Sequence, residues 1–162
     1  MEPRRLHRLE RVQQVARPVG DVFAFFAHAR NLELITPPWL RFEVLTPDPV
    51  VMGAGTLIRY RLKLHAVPLP WTSRIEEWEE GRAFVDRQVR GPYRSWVHRH
   101  EFIPHGDATI VRDSVRYSLP LGRLGDLAHA AFVRRDLERI FDFRGDAVQR
   151  LLGAGTPDAR AT

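Results

Sequence analysis

Residues 93–119 read YRSWVHRHEFIPHGDATIVRDSVRYSL. Two runs of alternating character flank a turn at Pro104-His105-Gly106-Asp107, so the stretch is a predicted antiparallel hairpin. A four-residue loop is a common hairpin length. It would set Ile103 opposite Ala108, His100 opposite Val111, His98 opposite Asp113, Trp96 opposite Val115 and Arg94 opposite Tyr117. Opposed residues share a face of the sheet. One face then holds Trp96, His98, His100, Phe102, Val111, Asp113, Val115 and Tyr117. The other holds Tyr93, Val97, Arg99, Glu101, Ile110, Arg112, Ser114 and Arg116. The second set is the more charged and meets water, so the first faces inward. A slip of one residue would turn Arg112 and Arg116 inward, against the cost of burying charge.

Working outward, Leu6 to Ala16 reads as an imperfect first strand. Pro18 opens a helix carrying Val22, Phe23, Phe25 and Phe26. A second short helix over Asn31–Thr36 stops at Pro37-Pro38. Strands are predicted at Phe42–Leu45, Thr56–His65, Trp71–Glu79 and Ala83–Arg90. Turns are predicted at Pro47-Asp48-Pro49, Pro68-Leu69-Pro70, Gly81 and Gly91-Pro92. In Thr56–His65, Ile58, Tyr60, Leu62 and Leu64 alternate with charged residues, which marks one dry and one wet face. From Leu121 to Leu152 apolar residues recur at helical spacing: Leu124, Leu127, Ala131, Leu137, Ile140, Phe141, Val148 and Leu151. Gly145 is expected to bend this helix, and residues 153–162 form a Gly/Ala/Pro-rich tail expected to fray. One strand, two short helices, a run of strands and one long helix indicate an α+β fold. The dry face needs a large partner, and the terminal helix is available. A sheet curled around that helix leaves a cavity between them.

Composition narrows the function. Of the 162 residues, 25 are Lys or Arg and 20 Asp or Glu, a formal charge of +5. Lys63 is the sole lysine, so arginine dominates and the pI rises to about 10.6. Such a value invites a nucleic-acid reading. The arginines are spread over nearly every element, however, and Arg59, Arg61, Arg99, Arg112 and Arg116 fall on wet faces. No nucleic-acid partner is expected. There are no cysteines, which excludes disulfide scaffolds, thiolate metal sites and cysteine nucleophiles. No apolar run approaches the ~18–20 residues of a membrane span, and no apolar leader opens the chain. A cytoplasmic protein without stable membrane insertion is the expectation. No phosphate-cradling glycine loop and no nucleophile elbow is present.

The inner face of the hairpin places His98, His100, Asp113 and Tyr117 among aromatic and aliphatic side chains. Buried polar groups need partners, and Asp113 opposite His98 supplies one. The pair is either a self-satisfied structural network or the means of orienting a ligand or moving a proton. Two histidines two apart, with Asp113, would make three metal ligands, but nothing else has ligand spacing, so neither metal nor cofactor is expected. In Ala83–Arg90 the parity depends on the length of the Gly91-Pro92 loop. Val85, Arg87 and Val89 are read as inward, which would put Arg87 in or near the cavity.

Two longer stretches resemble a known family. They are Asp86-Arg87-Gln88-Val89-Arg90-Gly91-Pro92-Tyr93-Arg94-Ser95-Trp96-Val97-His98 and Asp113-Ser114-Val115-Arg116-Tyr117-Ser118-Leu119-Pro120-Leu121-Gly122. With the Arg17-to-Phe23 helix start and Asn31-Leu32-Glu33, they resemble the START-like, polyketide cyclase/dehydrase and lipid-transport superfamily (SRPBCC). Within it they resemble a bacterial subgroup labelled cell-division-inhibitor-like. The resemblance covers residues 6–152, taken as one domain. It implies a helix-grip fold of about six or seven antiparallel strands around the C-terminal helix, and a hydrophobic small molecule as partner. The expected lining is Tyr60, Trp71, Arg87, Trp96, His98, His100, Asp113, Tyr117, Phe132, Ile140 and Phe141, with an opening near Trp39 and Pro68–Trp71. Three functions follow: binding or carriage of a lipid, isoprenoid or polyketide-like molecule; a cyclase or dehydratase using His98, Asp113 and Tyr117; or an interaction module with a basic surface. Oligomeric state is not legible.

Overall fold

The computed structural model describes residues 5–153; the predicted tail lies almost wholly outside them. The strands are β1 (His7–Val15), β2 (Glu43–Val44), β3 (Leu57–Leu64), β4 (Val67–Glu79), β5 (Ala83–Arg90), β6 (Ser95–His105) and β7 (Ala108–Ser118). Helices α1 (Val19–Phe26) and α2 (Asn31–Leu34) follow β1. After β7 come α3 (Arg123–Ala128), a π-helical turn (His129–Val133), α4 (Arg134–Val148) and a second π-helical turn (Gln149–Gly153). Gly145 sits within α4 without interrupting it. The strands form one seven-stranded sheet in the order β1-β7-β6-β5-β4-β3-β2, antiparallel throughout.

Three expectations about turns need correction. Pro68-Leu69-Pro70 does not turn the chain. The β3–β4 turn is His65-Ala66, both at positive φ (49° and 66°), and the prolines pair with β3 inside β4. β5 reaches only as far as Thr72, so this end of β4 has an open edge, where a missing N–H costs no ladder bond. In the β6–β7 hairpin, His105 pairs with Ala108, so the loop is Gly106-Asp107 rather than four residues. The register is thereby shifted by two: His100, not His98, stands opposite Asp113, and His98 opposite Val115. A shift of two preserves the side-chain alternation. All eight residues assigned to the inner face are buried as expected.

The third correction concerns β5. Asp86 pairs with His98 and Arg87 with Val97, so Asp86 shares the inner face and Arg87 points to solvent. There Arg87 Nε meets Glu76 Oε1 at 2.6 Å. This register requires an odd number of residues between paired positions, whereas inward Val85, Arg87 and Val89 require an even one. The outer face around Arg87 is a lattice of both signs, with Arg99 paired to Glu77 at 2.9 Å and near Glu101 at 3.4 Å.

α1 closes one end of the sheet. Phe23 packs edge-on against Trp78, Phe84 and Phe102, with ring centroids 5.2, 6.3 and 5.3 Å away. α4 covers the middle through Leu137, Phe141, Arg144, Ala147 and Val148. The first part of the helical block behaves differently: Leu124, Leu127 and Phe132 are all about two-thirds exposed. Their apolar spacing is helical, but the segment buries Gly125 and meets the sheet through His129, which stacks on His7 at 3.5 Å, and these three side chains are left on the solvent side. None of the described helices is long and apolar enough to cross a membrane.

Candidate functional site

Between the sheet and α4 lies a cavity of about 190 Å³. Its walls come from the inner faces of β3 to β6, from α1 and α2, and from Leu137, Ile140, Phe141 and Arg144 of α4. The half-buried lining residues Leu64, Leu69, Pro92 and Tyr93 mark the end nearer solvent. Ile58, Ile75 and Phe84 close the inner end. Of the residues expected to line it, Tyr60, Trp71, Trp96, His98, His100, Ile140 and Phe141 do so.

The other four do not. Arg87 lies on the opposite face of the sheet. Phe132 is exposed. Asp113 lies behind the two imidazoles. Tyr117 is buried in a second cluster with Leu9, Trp96, Leu137 and Phe141, and its hydroxyl is 2.8 Å from His129 Nε2. Of the region expected at the opening, Leu69 and Trp71 line the cavity. Trp39 instead packs edge-on against Phe143, at 5.7 Å.

The apolar walls meet a compact polar cluster. Asp113 Oδ1 is 2.7 Å from His98 Nε2 and 3.2 Å from His100 Nδ1. Asp86 Oδ2 is 2.8 Å from His100 Nε2 and 3.8 Å from His98 Nδ1. The other carboxylate oxygen of Asp86 accepts from the Ser73 hydroxyl at 3.4 Å, and Ser73 Oγ accepts from the Trp71 indole N–H at 3.0 Å. Arg144 Nη2 lies 3.5 Å from His100 Nδ1 and 3.9 Å from Asp113 Oδ1. Its guanidinium stands over the Phe26 ring at 5.4 Å.

Electrostatics separates the two histidines. Burial, helped by the neighbouring His100, pushes His98 down to about 4, so its ring is neutral at pH 7. Burial also disfavours the charged form of His100. The bonds to Asp113 and Asp86 outweigh that and raise it. For Asp113, burial is overcome by the Arg144 charge and the two imidazoles, which hold the carboxyl well below its ordinary value. Asp86 is lowered in the same way, chiefly by its bond with His100. Burial raises the hydroxyls of Tyr60 and Tyr93, so both stay protonated.

Sequence reasoning missed two members of this cluster. Asp86 was hidden by the parity of β5. Arg144 carried a readable signal. It occupies the stripe Leu137, Phe141, Arg144, Val148, at spacings of four, three and four, which is the buried face of a helix. An arginine in a core stripe requires a partner or a ligand. Arg144 Nε is buried and makes no hydrogen bond within the described chain.

The organisation recurs in solved proteins. Zhui aromatase/cyclase from a Streptomyces species superposes with a TM-score of 0.67 at 18% identity, over 94% of this chain and 100% of that one. Norcoclaurine synthase from Thalictrum flavum gives 0.67 at 12% identity, over 91% and 87% of the two chains. A Chromobacterium violaceum protein gives 0.69 at 14%, over 94% and 98%. At such identities the likeness is one of fold, the helix grip. No curated protein sequence matches the chain. The narrower subgroup resemblance rests on the stretches 86–98 and 113–122 alone. The sequence profile described as "Polyketide cyclase / dehydrase and lipid transport" matches residues 15–143. That span holds α1, every strand after β1 and most of α4, and with them the cavity and its polar cluster apart from Arg144, one residue beyond it. The chain belongs to the polyketide cyclase/dehydrase and lipid-transport family.

Proposed function

We propose that the protein binds a small amphipathic molecule, with an apolar body against Tyr60, Trp71, Trp96 and Phe141 and a polar end on the Asp86–His98–His100–Arg144 cluster. The observation that carries this reading is Arg144 Nε, a buried donor without a partner among the described residues, on a side chain that lines the cavity. Such a donor costs about 1–3 kcal/mol if nothing accepts from it, and a ligand oxygen would remove that cost. Pockets for drug-sized molecules usually measure ~300–1,000 Å³. The smaller space here takes a compact ligand whole, or one end of a longer one. Native mass spectrometry of the protein from its own source should show a retained small molecule. A fluorescent amphiphile such as anilinonaphthalene sulfonate should bind in its absence. Leu137→Trp, which fills the cavity from α4, should abolish that binding. Protein that carries no ligand, and a probe signal unmoved by Leu137→Trp, would refute the reading.

A second reading, acid–base catalysis on a polyketide-like substrate, is favoured by one observation. His98 Nδ1 makes no hydrogen bond, and its ring lines the cavity. With Nε2–H donated to Asp113, the Nδ1 lone pair is available as a base. Tyr117 is not the oxyanion donor, because its hydroxyl is engaged by His129. Under this reading, His98→Gln abolishes turnover of a bound substrate while leaving its affinity nearly unchanged.

A further inference from the structure

The β5–β6 register has a chemical consequence. With Asp86 on the inner face, three side chains of metal-ligating type converge. His98 and His100 stand two apart on one face of β6, and Asp86 lies directly across from His98 on β5. One ligand atom from each lies within 4.8 Å of the other two. We propose that Asp86 Oδ2, His98 Nδ1 and His100 Nε2 bind a divalent first-row transition ion of the zinc class, and that Asp113 is the positioning residue that orients the His98 imidazole.

Two independent features support the assignment. The first is tautomer control at His98. Asp113 Oδ1 sits 2.7 Å from His98 Nε2, and this acceptor holds the proton there and leaves Nδ1 with its lone pair. A carboxylate behind a ligating histidine is the usual outer support of such sites. At His100, Nε2–H donates to Asp86 Oδ2 at 2.8 Å while Nδ1 accepts from Arg144 Nη2 at 3.5 Å, so an ion bound there displaces the Nε2 proton. The second feature is spacing. Bonds of about 2.0–2.2 Å in a tetrahedral arrangement put ligand atoms roughly 3.3–3.5 Å apart. The observed 2.8 Å from Asp86 to His100 and 3.8 Å from Asp86 to His98 bracket that range. Small rotations of the two rings, whose planes differ by 32°, would equalise them.

The donor set also selects the ion. Two imidazoles and one carboxylate suit zinc, cobalt, nickel or iron, whereas magnesium and calcium take oxygen ligands. Three protein ligands leave a coordination position open. All three residues line the cavity, so that position would face it and could take a water or an oxygen of a bound molecule.

The test is a titration of tag-free, chelator-treated protein with cobalt(II) alone, followed by visible absorption and tryptophan fluorescence. The Trp96 ring lies 6.4 Å from that of His98, close enough for a paramagnetic ion to quench it. One-to-one saturation is expected, with visible bands that zinc abolishes. Asp86→Asn should remove both signals, and His100→Gln supplies the same test if Asp86→Asn fails to fold. Asp113→Asn keeps all three ligands and should weaken binding about 10–100-fold. No saturable one-to-one binding, or binding unchanged in whichever ligand variant folds, would overturn the proposal. In the latter case the ion belongs to exposed groups such as His65 and Asp136, 2.7 Å apart on the surface.

Discussion

Replacing Asp113 with asparagine keeps the shape of the side chain and removes its charge. In the metal-free protein, that carboxylate faces His98 at 2.7 Å, His100 at 3.2 Å and Arg144 at 3.9 Å, and all four residues are buried. Removing one partner of a buried charge pair costs about 3–5 kcal/mol, because the other charge stays behind in a poor solvent. The lower half of that range is expected here, since the Arg144 guanidinium keeps the Asp86 carboxylate as a remaining counter-charge. At roughly 2–4 °C per kcal/mol for a chain of this size, Tm should fall by about 6–16 °C. Urea unfolding of the wild type, Asp113→Asn, Arg144→Met and the double variant would measure both the cost and the coupling. The double variant should lose less than the sum of the single ones, by about 0.5–3 kcal/mol. The pH dependence has a definite sign. The Asp113 carboxyl is held low in the folded protein, so its contribution is present above the unfolded carboxylate pKa of about 4. It is lost as pH falls through the folded value. The gap between wild type and Asp113→Asn should therefore narrow in acid. A cost below about 1 kcal/mol at pH 7, the level of an exposed pair, would refute the account of the cluster.

Other substitutions test the remaining assignments. Arg87→Ala should cost less than about 1 kcal/mol, because the Glu76 pair is on the solvent face, and should leave amphiphile binding unchanged; a loss of binding would return Arg87 to the cavity. Phe23→Ala removes the ring that ties α1 to Trp78, Phe84 and Phe102, and should cost about 3–5 kcal/mol in urea unfolding. Phe132→Ser should alter stability by less than about 0.5 kcal/mol and leave probe affinity intact, since an exposed side chain away from a packed site is energetically quiet. Tyr117→Phe breaks the bond to His129, and about 0.5–1.5 kcal/mol of stability should be lost with it; a change in probe affinity would place its hydroxyl in the cavity after all.

The inner face of β6 and β7 was legible because alternation is a local property. Trp96, His98, His100 and Phe102 were assigned inward from the charges on their neighbours, and a register error of two residues could not disturb that. Along β5 the same reasoning failed. Asp86-Arg87-Gln88-Val89-Arg90 offers charge on both parities, so no cost of burial separates them, and the loop length decides. In the helical block, periodicity located the stripe through Leu137, Phe141 and Val148. It could not show which side of the preceding segment meets the sheet, and Leu124, Leu127 and Phe132 face water.

The sequence by itself determined the order of elements, the antiparallel class and the dry face of the central hairpin. These follow from short-range patterning of apolar and charged residues. Only the tertiary structure decided which polar groups meet. Asp86 comes from β5, His98 and His100 from β6, Asp113 from β7 and Arg144 from α4. Their contacts depend on register across three strands and on the seating of a helix, and a burial pattern read along one strand carries no information about either. The cluster that gives the cavity its chemistry is a product of long-range packing.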